Sequence, residues 1–139
     1  MVNFANFPLL WVSKLHTEIA LSTLHSEYVA LSHSVRELIP LKSIIKEVIE
    51  NLGIDSENLK FVSRFTIYED NNGAIVVATS PRMTPTSKHI AVKYHWFRQH
   101  VGKELVIRKI ESENQKADIF TKGLQGQIFV RIGKLICGW

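Results

Sequence analysis

Residues 64–80 read RFTIYEDNNGAIVVATS, and the reading of this stretch decides the fold. Its first half continues a strand read from Phe61 to Tyr68 and ends in two carboxylates, Glu69 and Asp70. Its second half is ambiguous. Asn72-Gly73 between apolar runs is a type I′ hairpin signal. The same letters also open a helix capped by Asp70 or Asn71, with Pro81 ending it. Propensity favours the hairpin. In both cases Asp70 stands at the C-terminal end of a strand, where open α/β sheets place their sites.

Upstream, Val2 to Ser13 is rich in aromatic and branched residues, and Pro8 splits it into two short strands joined by a turn around Asn6 and Pro8. Ser22 or Thr23 then caps a helix. Tyr28, Leu31, Val35 and Leu38 give it a buried stripe, which Ile44, Ile45, Val48, Ile49 and Leu52 continue. Pro40 lacks a backbone donor and predicts a kink or a break into two helices, and Gly53 predicts the end. Downstream, the spacing of Ile90, Tyr94, Phe97 and Val101 predicts a helix over SKHIAVKYHWFRQHVGKE that Gly102 terminates. Leu105–Ile110 alternates as a strand, and ESENQKADIFTKGL reads as a loop entering a helix. A last amphipathic segment packs through Ile128, Phe129, Ile132, Leu135 and Ile136. The order strand, strand, helix, strand, helix, helix, strand, helix, helix is an α/β or mixed α+β arrangement with a small sheet.

The 139 residues, 15.9 kDa, suit a single domain spanning 1–139, and 45% hydrophobic with 22% charged residues is a globular composition. No apolar run reaches membrane-spanning length, so no membrane partner is expected. MVNFANFPLLWVSK lacks the basic start of a secretory signal. Cys137 is the single cysteine, which excludes a disulfide framework and a cysteine zinc cluster, and an intracellular setting follows. The net charge of +4 permits nucleic-acid binding without requiring it.

Three acids occupy positions that chemistry would use: Glu27 in the first turns of a helix, Asp70 at a strand end, and Asp118 near the start of a later helix. Carboxylates converging from separate elements are what hard divalent cations need. On spacing alone they are equally three ordinary surface acids among thirteen. Asn71 beside Asp70 and Lys122 near Asp118 are candidate substrate contacts. Lys88, His89, Lys93 and Arg98, with Trp96 nearby, form either a basic face for a nucleic-acid backbone or a solvated surface. His89, His95 and His100 lack the spacing that puts two ligands on one helix face, which argues against zinc. His25 reads as a surface residue, and Trp11 and Trp139 as packing.

Four ordered strings carry a resemblance: ALSTLHSEYVALS, IYEDNNGAI, TSKHIAVKYHWFR and ENQKADIFTKGL. They resemble ALSSTEAEYVALS, IYEDNQGAI, SKHIDVKYHFIR and DQLADIFTKGL of the C-terminal ribonuclease H domain of copia-type (pseudovirus) retrotransposon polyproteins, and the match covers nearly the whole chain. The resemblance implies an α/β fold, a mixed five-stranded sheet in the order 3-2-1-4-5 flanked by helices. It implies hydrolysis of RNA in RNA–DNA hybrids by four acids and two Mg²⁺ or Mn²⁺ ions. Glu27, Asp70 and Asp118 take the catalytic and metal-binding positions, and Asn71, Lys88, His89, Lys93 and Lys122 stay the candidate substrate contacts read from the residues themselves. It also makes NNGAIVVATS a helix behind the site. The implied partners are the hybrid and an upstream reverse transcriptase domain, in a cytoplasmic virus-like particle or the nucleus.

Three departures qualify this. No YSDADWAG-like string supplies the family's first acid, so the first, central strand and its aspartate are expected to be missing and activity impaired. Buried edges left by that loss would cost about 1–3 kcal/mol per unmet group. Ala91 replaces a frequent Asp, with little expected consequence. The loop IESENQKAD has no His, so no general base is assigned there. The alternatives are a non-catalytic remnant of the same fold that binds nucleic acid or a polymerase, and a purely structural remnant.

Overall fold

The computed structural model describes residues 1–4, 7–54, 64–82 and 88–138. They form a mixed α/β structure with helices and small sheets, divided into two compact units. One unit joins Met1–Glu18 to Ile110–Trp139; the other is Ile19–Lys109. Among the described residues no helix is long and apolar enough to cross a membrane.

The central unit is built on helix α1, Thr23–Asn51. The Ser22 hydroxyl caps it by accepting the His25 backbone N–H at 3.1 Å, satisfying one of the donors orphaned at a helix start. The predicted break at Pro40 does not occur, and the helix runs through it. Its first half buries Tyr28, Val29, Leu31, Ser32 and Val35, which holds the backbone helical up to the proline. The second half packs less than the periodicity predicts: Ile49 is buried, whereas Ile44, Val48 and Leu52 are more than half exposed. The helix ends at Gly53, whose φ of +72° is the left-handed conformation glycine adopts freely. The Ile54 and Gly53 N–H groups then satisfy the Ile49 and Glu50 carbonyls, a Schellman closure.

Strand β3, Phe65–Glu69, follows, and residues 61–63 of the predicted strand lie outside the described residues. The hairpin expectation is overturned: Asn72–Thr79 is helix α2, capped by Asn71, with Ala74, Val77 and Ala78 buried. Strand β4, Leu105–Lys109, pairs with β3 in parallel, residue for residue from Phe65 opposite Leu105 to Glu69 opposite Lys109. A parallel pair needs a long crossover, which a two-residue hairpin could not provide.

The predicted helix over residues 87–104 is also corrected. Within it, Val92–Tyr94 and Trp96–His100 are separate 3₁₀ turns. Branched and aromatic residues dominate here, and i to i+3 closure lets Tyr94 and Phe97 point into the core. Ile90, Tyr94, Phe97 and Leu105 join Tyr28, Val35 and Val77 in one hydrophobic cluster. Two polar links brace it. Tyr28 shares a 2.8 Å hydrogen bond with His95 Nδ1, and Trp96 Nε1 donates to Ser32 Oγ at 3.0 Å. Burial pushes the Tyr28 hydroxyl up to about 12 and the His95 ring below its usual value.

The other unit holds strands β1, Val2–Phe4, and β2, Phe7–Leu10, paired antiparallel; Pro8, expected in the turn, lies within β2, and residues 5 and 6 lie outside the described residues. Helix α3, Gly126–Cys137, buries Ile132, while Phe129 and Leu135 of its predicted packing face stay about half exposed. Residues 111–124 form 3₁₀ turns at Ser112–Asn114 and Lys116–Phe120, with no α-helix before Gly126. Trp11 stacks on Phe120 at 6.3 Å but is itself mostly exposed, and Trp139 lies outside the described residues. The described strands thus make two separate two-stranded sheets, where the resemblance implies a five-stranded order from which the first, central strand is expected to be missing. Among them, β3 has a hydrogen-bonded neighbour on one edge, β4.

Candidate metal centre

The central unit brings carboxylates together from two elements remote in sequence. The Ser22 cap fixes the first turns of α1 and with them Glu27. Strand β3 carries Glu69 on its last residue, and Asp70 follows before α2 begins. Asn71 bridges the two elements: its backbone N–H donates to Glu69 Oε1 at 2.9 Å, and its side-chain oxygen accepts the Ala74 N–H at 3.1 Å. Gly73 lets α2 lie close to α1, since a Cβ there would stand 2.6 Å from Leu24 Cδ1.

The result is a triangle of Glu27, Glu69 and Asp70 with oxygens all within 4.8 Å of one another. At the effective dielectric of protein sites, two carboxylates at that separation repel by about 3–4 kcal/mol. Glu69 is the buried member of the three. Burial pushes its carboxyl up, the Asn71 N–H pulls it down, and the charges of Glu27 and Asp70 push it up again, to about 7. Lys109 opposes the rise.

These donors fit a hard divalent cation. Oxygens around one Mg²⁺ lie about 3 Å apart when adjacent and about 4 Å when opposite, so small side-chain rotations close the observed triangle onto an ion. Glu27, Glu69 and Asp70 would hold it.

Glu27 and Asp70 meet as the sequence predicts. Asp118, the third predicted acid, belongs to the other compact unit, where it is buried within Lys116–Phe120. The Lys122 ammonium lies 3.0 Å from its carboxylate, so this predicted substrate contact instead pairs with the acid four residues before it. The Asn71 side chain is engaged in capping α2. Lys88 and Lys93 are exposed, and Lys93 lies over the Tyr94 ring at 4.9 Å. His89 meets His25 edge-on at 5.4 Å. His25, expected at the surface, is buried. Arg98 turns its guanidinium onto the Ser80 and Arg82 carbonyls.

Glu69 is the site residue the sequence reading passed over. Its signal was the strand's own alternation: Phe65, Ile67 and Glu69 share the inward face, so an acid falls where an apolar residue is due.

Three curated proteins align with this chain. The retrovirus-related Pol polyprotein from transposon TNT 1-94 of Nicotiana tabacum is 32% identical over 123 residues, 88% of the chain. Those from transposons RE2 and RE1 of Arabidopsis thaliana are each 28% identical, over 98% and 93% of the chain. Its homologues are retrovirus-related Pol polyproteins of copia-type transposons. The chain spans 8% of the TNT 1-94 polyprotein and 9% of the RE2 polyprotein, so it corresponds to a segment of these Pol polyproteins. No family model and no solved structure matches it.

Proposed function

We propose that this chain is a ribonuclease H-like segment of a retrotransposon Pol polyprotein, acting on the RNA strand of RNA–DNA hybrids with Mg²⁺ or Mn²⁺. One observation carries the proposal: Glu27 and Asp70, from motifs far apart in the chain, place their oxygens within 4.8 Å of each other and of Glu69. The parallel β3–α2–β4 unit with a carboxylate at its C-terminal strand end supports it, as does homology to Pol polyproteins. Asp118 enters this reading through its motif, ENQKADIFTKGL, alone.

A divalent ion bound by such carboxylates lowers the pKa of a water and stabilises the oxygen that leaves the phosphodiester. The chain's own residues bind and orient. Glu27 is held by a capped helix, Glu69 by the Asn71 N–H, and Asp70 by the strand end. The exposed Lys88 and Lys93 are the proposed contacts for hybrid phosphates. The resemblance implies four acids, of which its first-strand aspartate has no counterpart here, so cleavage by this chain alone is expected to be slow.

The test is cleavage of a labelled RNA–DNA hybrid in Mg²⁺ or Mn²⁺. Slow, EDTA-sensitive cutting that Asp70→Asn lowers by tenfold or more, about 1.4 kcal/mol of barrier, is expected. Cutting that survives both EDTA and Asp70→Asn would refute the reading. Hybrid binding without any cutting would instead identify a binding remnant of the same fold.

A further inference from the structure

Three carboxyl groups crowded into one triangle repel one another when ionised, and a nearby cation offsets that repulsion. The parallel ladder supplies one from a defined position. Strands β3 and β4 end together, and Lys109, the last residue of β4, lies opposite Glu69. Paired strands run about 4.8 Å apart, so the lysine stem starts one strand's width from Glu69. Its side chain is solvent-exposed. It donates to the backbone carbonyl of Asp70, which anchors the charge at the acidic end of the sheet. Its neighbour Arg108 stands opposite Tyr68, so the alternation of the strand directs it to the other face. A lysine suits this place because its charge is compact and its stem flexible.

We propose that Lys109 is the resident counter-cation of the Glu27–Glu69–Asp70 cluster, a positioning residue that holds the metal-free carboxylates together and competes with the divalent ion for them. The idea rests on the metal-site reading above and deepens it: the lysine sets how tightly the ion is held. The Lys109 charge also works against the rise in the Glu69 carboxyl, as the smallest of the influences on it. Without it, the empty triangle has less to offset its repulsion, while an incoming ion meets an undiminished negative charge.

The experiment uses the whole chain and Mn²⁺ titrations followed by calorimetry, with thermal melts in EDTA alongside. Lys109→Met should bind Mn²⁺ roughly three- to tenfold more tightly than wild type. Its metal-free form should melt lower, with Mn²⁺ erasing the difference. Lys109→Arg, which keeps the charge, should match wild type in both measurements. In a double-mutant cycle, the stability loss from Lys109→Met should shrink in a Glu69→Gln background, because less repulsion remains to offset. Equal or weaker Mn²⁺ binding by Lys109→Met, or an additive cycle, overturns the role of Lys109 while leaving the metal site standing. Wild-type chain that binds no Mn²⁺, or binds it undiminished after Asp70→Asn, overturns the metal-site reading and the competition with it.

Discussion

At Gly73 a missing methyl group connects packing to chemistry. A Cβ there would stand 2.6 Å from Leu24 Cδ1, 3.3 Å from Leu24 Cγ and 3.1 Å from Asn71 Oδ1. Leu24 is three residues before Glu27 on the same helix, and Asn71 caps the other. Gly73→Ala should therefore forgo the gain of up to about 1 kcal/mol that alanine gives an unhindered helix, and cost about 1–2 kcal/mol instead. Mn²⁺ binding should weaken with it to the extent that the first turn of α1 moves along with the Leu24 side chain. Urea unfolding and Mn²⁺ titration of the variant check both; a stabilised variant with unchanged affinity would show that Leu24 yields freely. The same glycine explains why propensity misled. Asn72-Gly73 is a hairpin signal because glycine tolerates positive φ. Here Gly73 serves close approach within a helix, a tertiary need that local propensity does not encode. Glu69 was hidden for the opposite reason: it was legible from the strand's alternation, but only once the inward face of β3 was known.

At the scale of elements, the helix start at Ser22, the strand ending in Glu69 and Asp70, the β1–β2 pairing and the stop at Gly53 were all readable from local chemistry. The 3₁₀ turns around Tyr94 and Phe97 were not, because apolar residues three and four apart satisfy either helical form and the core decides between them. Pro40 was read as a break because it removes a hydrogen bond and crowds the preceding turn. The helix crosses it nonetheless, so that penalty is carried inside α1. Pro40 is exposed, and nothing in the core requires its ring. Pro40→Ala should therefore stabilise the chain by about 1–3 kcal/mol, read as a higher urea midpoint at unchanged slope. An unchanged midpoint would mean that the helix relieves the proline locally.

Across the whole molecule the balance of charge sets how it would meet a polyanion. Seventeen Lys and Arg against thirteen Asp and Glu leave +4, yet three of the acids converge in one triangle. A hybrid's phosphates are therefore attracted by the chain as a whole and repelled at the proposed reaction centre, so basic residues away from the triangle must bring the backbone in. Lys88 and Lys93, exposed on the same unit as the carboxylates, are the proposed contacts. Each phosphate contact releases condensed counterions, so the affinity for a hybrid should fall steeply with KCl, and removing one lysine should lower the log–log slope by roughly 1. Fluorescence anisotropy of a labelled hybrid in EDTA, across a KCl series, measures this for wild type and for Lys88→Ala with Lys93→Ala. The double variant should lose roughly 2 from the slope, with a melting shift no larger than loss of the exposed Lys93–Tyr94 ring contact brings, about 0.5–1 kcal/mol. An unchanged slope would place the phosphate contacts on other basic residues. A variant that also lost Mn²⁺ binding would show these lysines to be coupled to the carboxylates and not a separate positive approach surface.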